Sequence, residues 1–197
     1  MADPALTTTP PAPTASPTVR AGRRLAVGDV APPLAATSLA GAAIAPPRPG
    51  EVLYLQFRRF AGCPVCNLHL RQVAARVDEL RAAGVRVVAV FHSEAATMMP
   101  YQGDLPFEVI ADPGKALYRA FAVEASWRSI LDPRSWWPML RGMFARHPWS
   151  ARRGEGGHLG LPAEFLLGAD GVVRAAHYGR HAADHWSVDR VLALARG

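Results

Sequence analysis

EVLYLQFRRFAGCPVCNLHLRQVAARVDELRAAGVRVVAVF, residues Glu51 to Phe91, holds the pattern that decides the fold. It opens with EVLYLQF (51–57), a short and nearly all-apolar run bounded by Pro49-Gly50, which predicts a buried strand. RRFAGC comes next as a loop. Pro64 then opens a helix expected to run to about Ala83, because proline's missing N–H costs nothing at a first helical position. Gly84 ends it. VRVVAVF (85–91) predicts a second strand, apolar on both faces as in a parallel sheet covered by helices. Strand, helix and strand in this order make a βαβ unit.

Working outward, Ser93-Glu94 starts a short helix, FEVIAD (107–112) predicts a third strand, and Pro113 to Phe121 a short helix. Glu164 to Tyr178 reads as a hairpin about Asp170-Gly171. Trp186 to Ala195 reads as an amphipathic helix with Val188, Val191, Leu192 and Ala195 on one stripe. Upstream, Val27 to Gly50 suggests short strands and turns. The expected division is an Ala/Pro/Thr-rich disordered tail over 1–24 and one α/β domain over 25–197. That domain carries an insertion at about 124–160 with four of the five tryptophans and a run of arginines. A lid over the cysteines, a homodimer interface and plain packing are its open readings. Trp136-Trp137-Pro138 breaks any continuous amphipathic helix there, which weakens a membrane reading.

The 197 residues are half apolar and 19% charged, which excludes a chain disordered throughout. No apolar run reaches the ~18 residues of a transmembrane helix. Two cysteines exclude a multi-disulfide scaffold and an all-cysteine zinc site. The net charge of +6 is almost all arginine, Lys115 being the one lysine, and no nucleic-acid partner is expected. Arg23-Arg24 is a twin arginine, but Asp29, Pro32 and Pro33 interrupt the LAVGDVAPPL stretch after it, so the expected location is the cytoplasm.

CPVC (63–66) lies between a buried strand and a helix inside a βαβ pattern, the context in which C-x-x-C reads as redox chemistry. Two thiols one helical turn apart can close a disulfide, and a helix N-terminus favours a thiolate, the attacking species. Cys66, Leu70, Val73, Val77 and Leu80 form one apolar stripe, so Cys66 is expected to face the sheet and Cys63 to sit at the cap within reach of solvent. Adjacent strand-end residues point opposite ways, so of Arg58 and Arg59 at most one faces the sulfurs. A metal reading would use Cys63, Cys66 and His69, but no spacing fixes a fourth ligand, and no metal is expected.

These residues, with VGDVAPPL (27–34), FRRFAGCPVCNLHLRQ (57–72), VIADPGKALYRAF (109–121), LPAEFLLGADGVV (161–173) and HWSVDRVLAL (185–194), resemble the peroxiredoxin-like proteins of the AhpC/TSA group, within the thioredoxin-fold superfamily. The resemblance implies a central mixed sheet flanked by helices. It also implies an enzyme that reduces a peroxide or a disulfide without a bound cofactor, reset by a thioredoxin- or glutathione-type donor. The alternative of another class is a non-enzymatic redox sensor or binding module with the Trp-rich insertion as its partner surface. Aligned to peroxiredoxins, Cys66 takes the peroxidatic place and Cys63 that of a threonine. Aligned to thioredoxin, Cys63 attacks and Cys66 resolves. Both assignments stand at the level of sequence. The peroxiredoxin pocket's upstream proline and threonine are absent, and its late arginine falls near Pro162. LPAEF instead resembles the cis-proline segment of thioredoxin-like reductases. A cis Leu161-Pro162 bond would present backbone to an extended substrate, whereas a trans one makes Pro162 a strand-entry residue.

Catalysis is thus assigned to Cys63 and Cys66, and substrate positioning to Pro162, Arg58, Arg59 and Glu164. Glu164 could move a proton near Cys66, although an exposed strand residue is the plainer expectation. His92 ends the second strand, where a hydrogen-bonded structural histidine is expected, and Glu94 lies in a helix's first turn.

Overall fold

The computed structural model describes residues 23–123 and 161–197. The expected tail falls almost wholly outside them, and the insertion entirely so. Strands β1 (Val52–Phe57), β2 (Val85–Phe91), β3 (Glu108–Ala111), β4 (Ala163–Leu167) and β5 (Val173–Tyr178) form one sheet in the order β3-β2-β1-β4-β5. β1–β2 and β2–β3 are parallel, while β1–β4 and β4–β5 are antiparallel. The helices are α1 (Pro64–Ala75), α2 (Val77–Ala82), α3 (Ala95–Gln102), α4 (Ala116–Ala120) and α5 (Val188–Ala195).

Strand alternation sorts the core into two faces. Leu53, Leu55 and Phe57 of β1 pack with Phe165 and with Leu117, Tyr118 and Phe121 around α4. Tyr54 faces the other way, against Val73 of α1, Leu80 of α2 and Val191 and Leu192 of α5. Gln56 and Arg58 continue Tyr54's side and are fully buried, so this face turns from apolar to polar as β1 nears its end. The helix expected over 64–83 is two helices, meeting at Arg76 (φ −121°, ψ 20°). There the Arg76 N–H donates to the Val73 carbonyl three residues back, the tighter bond of a helix terminus. The apolar stripe survives the break, because Cys66, Leu70, Val73, Val77 and Leu80 are all buried.

α4 starts later than expected because Lys115, its N-cap, is left-handed (φ 56°), and from outside the helix the Asp112 carboxylate accepts from the amides of Ala116, Leu117 and Tyr118 at 2.9, 2.8 and 3.3 Å. The hairpin turn is as read, with Gly171 at φ +74° and Asp170 Oδ1 accepting the Val172 N–H. The segment before β1 touches both sheet edges, Val30 bridging to Val172 and Ser38 to Ile110. Its contacts partly cover strand edges that would otherwise offer unpaired backbone. Among the described residues no helix is long and apolar enough to cross a membrane.

Candidate active site

Just past β1, two successive arginines take different partners. The Arg58 N–H extends the parallel ladder onto the Val90 carbonyl at 2.8 Å, and its side chain stays on the Tyr54–Gln56 face. Arg59 reaches the cysteines instead, its Nη1 lying 3.8 Å from Cys63 Sγ. The loop then tightens, the Cys63 N–H donating to the Phe60 carbonyl at 3.0 Å. Cys63 is the N-cap of α1, with extended backbone, and its sulfur accepts from the Cys66 N–H at 3.4 Å. Cys66 Sγ lies 2.8 Å from Cys63 Sγ, and the two are not joined.

Solvent reach at Cys63 is a correction: it is 1% exposed and Cys66 is fully buried. A cap position leaves a sulfur open only if the preceding loop stays clear. Here Arg59 folds back onto it, and Phe60, Phe91 and Met98 pack in the same cluster. The two thiols respond in opposite directions. Burial opposes ionisation of Cys63, but the Cys66 S–H, the Arg59 guanidinium and the amides of Cys66 and Val65 outweigh it and bring Cys63 down to about 6. Burial, reinforced by the negative charge on Cys63, pushes Cys66 well above the ordinary thiol range. One thiolate and one thiol held in contact are the starting state for thiol–disulfide chemistry.

Behind α1 lies a polar cluster whose membership could not be read from spacing. Glu164 on β4 is fully buried, which corrects the expectation of an exposed strand residue. Its Oε1 accepts from Arg58 Nη2 and the Tyr54 hydroxyl, each at 2.8 Å, and its Oε2 from the Trp186 amide at 2.6 Å. Arg58 also meets Gln56 and His185. The His69 and His185 rings stack with centroids 4.6 Å apart. Burial first, and then the Arg58 charge, hold both imidazoles well below their usual range, so both are neutral near pH 7. His69 thus turns to the Glu164 cluster, its Nε2 lying 3.8 Å from Glu164 Oε1. Among the described residues no group of three or more His, Cys, Asp or Glu is set to hold a metal.

The remaining candidates are structural in their contacts. The Leu161–Pro162 bond is trans, so the cis-proline geometry is absent and Pro162 is a strand-entry residue whose carbonyl accepts the Gly179 N–H at 2.8 Å. His92 packs edge-on to Tyr118, and Ser93 Oγ accepts the Ala61 N–H at 3.0 Å. Tyr118, missed in the sequence, reaches with its hydroxyl the Val90 carbonyl at 2.9 Å and also the Arg58 carbonyl, tying the ends of β1 and β2 beneath the cysteine loop. A cavity of about 940 Å³ opens elsewhere, beside β3, lined by Leu39, Arg81, Met99 and Phe107 among others. Neither cysteine lines it.

The sheet order and flanking helices are those of a thioredoxin-like fold, with two thiols side by side at the N-terminus of α1. A model of the AhpC/TSA antioxidant enzyme family matches residues 72–181, more than half the chain, and the chain belongs to that family. The matched stretch begins beyond Cys66. No curated protein matches the chain by sequence. Among solved structures, the fold is similar to the peroxidoxin BcpB of Mycobacterium tuberculosis (TM-score 0.62, 12% identity, covering 88% of this chain and 97% of that one). It is also similar to a cysteine-to-serine mutant of peroxiredoxin 6 from Arenicola marina (TM-score 0.64, 16% identity, 87% and 72% covered). A Chlorobium tepidum protein described as a thiol:disulfide interchange protein, DsbE, is similar too (TM-score 0.57, 22% identity, 87% and 99% covered).

Proposed function

We propose that this enzyme reduces peroxides through Cys63 and Cys66, with Cys63 attacking and Cys66 resolving. The observation that carries the reading is the contact at the start of α1: a Cys63 sulfur lowered to about 6, 2.8 Å from a Cys66 sulfur that keeps its proton. The Cys63 thiolate forms an S–O bond to the OH oxygen of the peroxide as the O–O bond breaks, and the other oxygen leaves as hydroxide or alkoxide, which takes a proton from solvent to become water or an alcohol. Cys63 is then a sulfenic acid. Cys66 attacks that sulfur, its proton joins the departing hydroxide as water, and a Cys63–Cys66 disulfide remains. One thioredoxin-type dithiol, or two glutathione-type monothiols, returns two electrons and two protons. Arg59 beside Cys63 supports a role in holding the thiolate and the incoming oxygen, while Arg58 and Glu164 support the strand end from which Arg59 projects.

The burial of Cys63 favours a small oxidant. A hydroperoxide needs room for two oxygens, whereas a protein disulfide must bring a bulky sulfur in line with the attacking one. The second reading, reduction of protein disulfides, draws on the low value of the first cysteine of the C-x-x-C pair. The test compares multiple-turnover hydrogen peroxide consumption with insulin disulfide reduction, using one thioredoxin-type donor. Peroxide turnover at least tenfold faster is expected. Rapid insulin reduction without peroxide turnover would replace the first reading with the second.

A further inference from the structure

The loop that delivers Cys63 is held by two amides that take no part in the chemistry above. Gln102, the last residue of α3, is 2% exposed, and its Nε2 donates to the Ala61 carbonyl at 2.9 Å and to Asn67 Oδ1 at 2.6 Å. Asn67, immediately after Cys66, closes the triangle by donating its own Nδ2 to the same carbonyl at 2.9 Å. Ala61 is fully buried, and its carbonyl can only accept, so both amides must aim nitrogen at it. That orientation leaves Gln102 Oε1 buried without a partner among the described residues, a cost accepted to keep the donor in place. The Ala61 N–H is fixed on its other side by Ser93 Oγ. The peptide two residues before Cys63 is therefore clamped from α1, α3 and the end of β2.

We infer that Gln102 and Asn67 form a clasp that positions Cys63 for attack, by holding the Ala61–Gly62 backbone so that the Cys63 sulfur meets the α1 amide and Arg59 together. They are positioning residues, and the inference rests on the reading of Cys63 as the attacking thiolate. The contacts that lower Cys63 are short-range: a 3.4 Å bond from the Cys66 N–H, a 2.8 Å contact with Cys66 and a 3.8 Å contact with Arg59. Freeing the Ala61 carbonyl lets the loop shift, and each of these contacts weakens with distance. The Gln102–Asn67 bond orients each amide toward Ala61, so removing either one takes away a donor and loosens the bond its partner makes to that carbonyl.

The test measures the pH profile of iodoacetamide alkylation for the reduced full chain, in wild type, Gln102→Leu and Asn67→Ala, with mass assignment of the modified cysteine. Asn67 is only partly buried on α1, so its variant tests the clasp even if Gln102→Leu fails to fold. The expected result is a midpoint near 6 in wild type and one displaced upward by about one unit in the variants, which lowers the Cys63 rate at pH 6 about fivefold. A residue that merely fills space would lower the melting temperature and leave this profile in place. An unchanged profile in folded variants, beside a wild type titrating near 6, overturns the clasp and leaves the attacking-thiol reading intact. A wild-type Cys63 that does not titrate below about pH 8 overturns that reading, and the clasp with it.

Discussion

Cys63 and Cys66 differ in ionisation because the helix start treats them differently, although both are buried. Cys63 receives a backbone N–H, a thiol proton and a guanidinium, whereas Cys66 donates and faces the core. Arg59→Met removes the guanidinium and should raise the Cys63 midpoint by about one unit, read from thiolate absorbance near 240 nm. The same ionisation links the stability of the reduced fold to pH. A thiol lowered to about 6 in the folded state, against about 8.5 unfolded, stabilises the fold in full above pH 8.5. That stabilisation fades as pH falls through 6, so acid should destabilise reduced wild type more than reduced Cys63→Ser in urea titrations from pH 8.5 to 5.5. The cysteine pair was legible in the sequence, because CPVC spacing is local, and so was the expectation that at most one of Arg58 and Arg59 faces the sulfurs, of which Arg59 touches Cys63. The burial of Cys63 was not, since it depends on Arg59 folding back and on Met98 arriving from α3.

Elements, more than single residues, keep this site in shape. Glu164 ties β4 to β1 through Arg58 and Tyr54, and to the approach of α5 through the Trp186 amide. Removing its carboxylate leaves the Arg58 guanidinium fully buried without its anion. Glu164→Ala should therefore cost about 3–5 kcal/mol in urea unfolding. Ser187 caps α5, its Oγ accepting the Arg190 N–H at 3.2 Å, and Ser187→Ala should cost about 1 kcal/mol. Equal losses in the two variants would refute the central place given to the Glu164 cluster. The strands, the Asp170-Gly171 turn and the α5 stripe were readable because period and turn chemistry are short-range signals. The break at Arg76 and the Glu164 cluster were not. Arg76 carries no proline or glycine to mark a break, and Glu164 meets Arg58 across 106 residues of chain.

At the scale of the molecule, the parallel half of the sheet delivers the cysteines, and the antiparallel hairpin supplies the buried acid behind them. Gln102 shows how far the support extends: a polar residue in MMPYQGD, without periodicity or motif, reaches the cysteine loop from another helix. The chain belongs to the AhpC/TSA antioxidant enzyme family, and the proposed order of the two sulfurs, Cys63 attacking and Cys66 resolving, is open to direct test. The most direct measurement treats reduced Cys63→Ser and Cys66→Ser with one equivalent of hydrogen peroxide in the presence of dimedone, and reads intact mass. A dimedone adduct at Cys63 in Cys66→Ser, with Cys63→Ser unmodified, is the expected result. An adduct at Cys66 in Cys63→Ser, with Cys66→Ser inert, would contradict the assignment of Cys63 as the attacking thiolate.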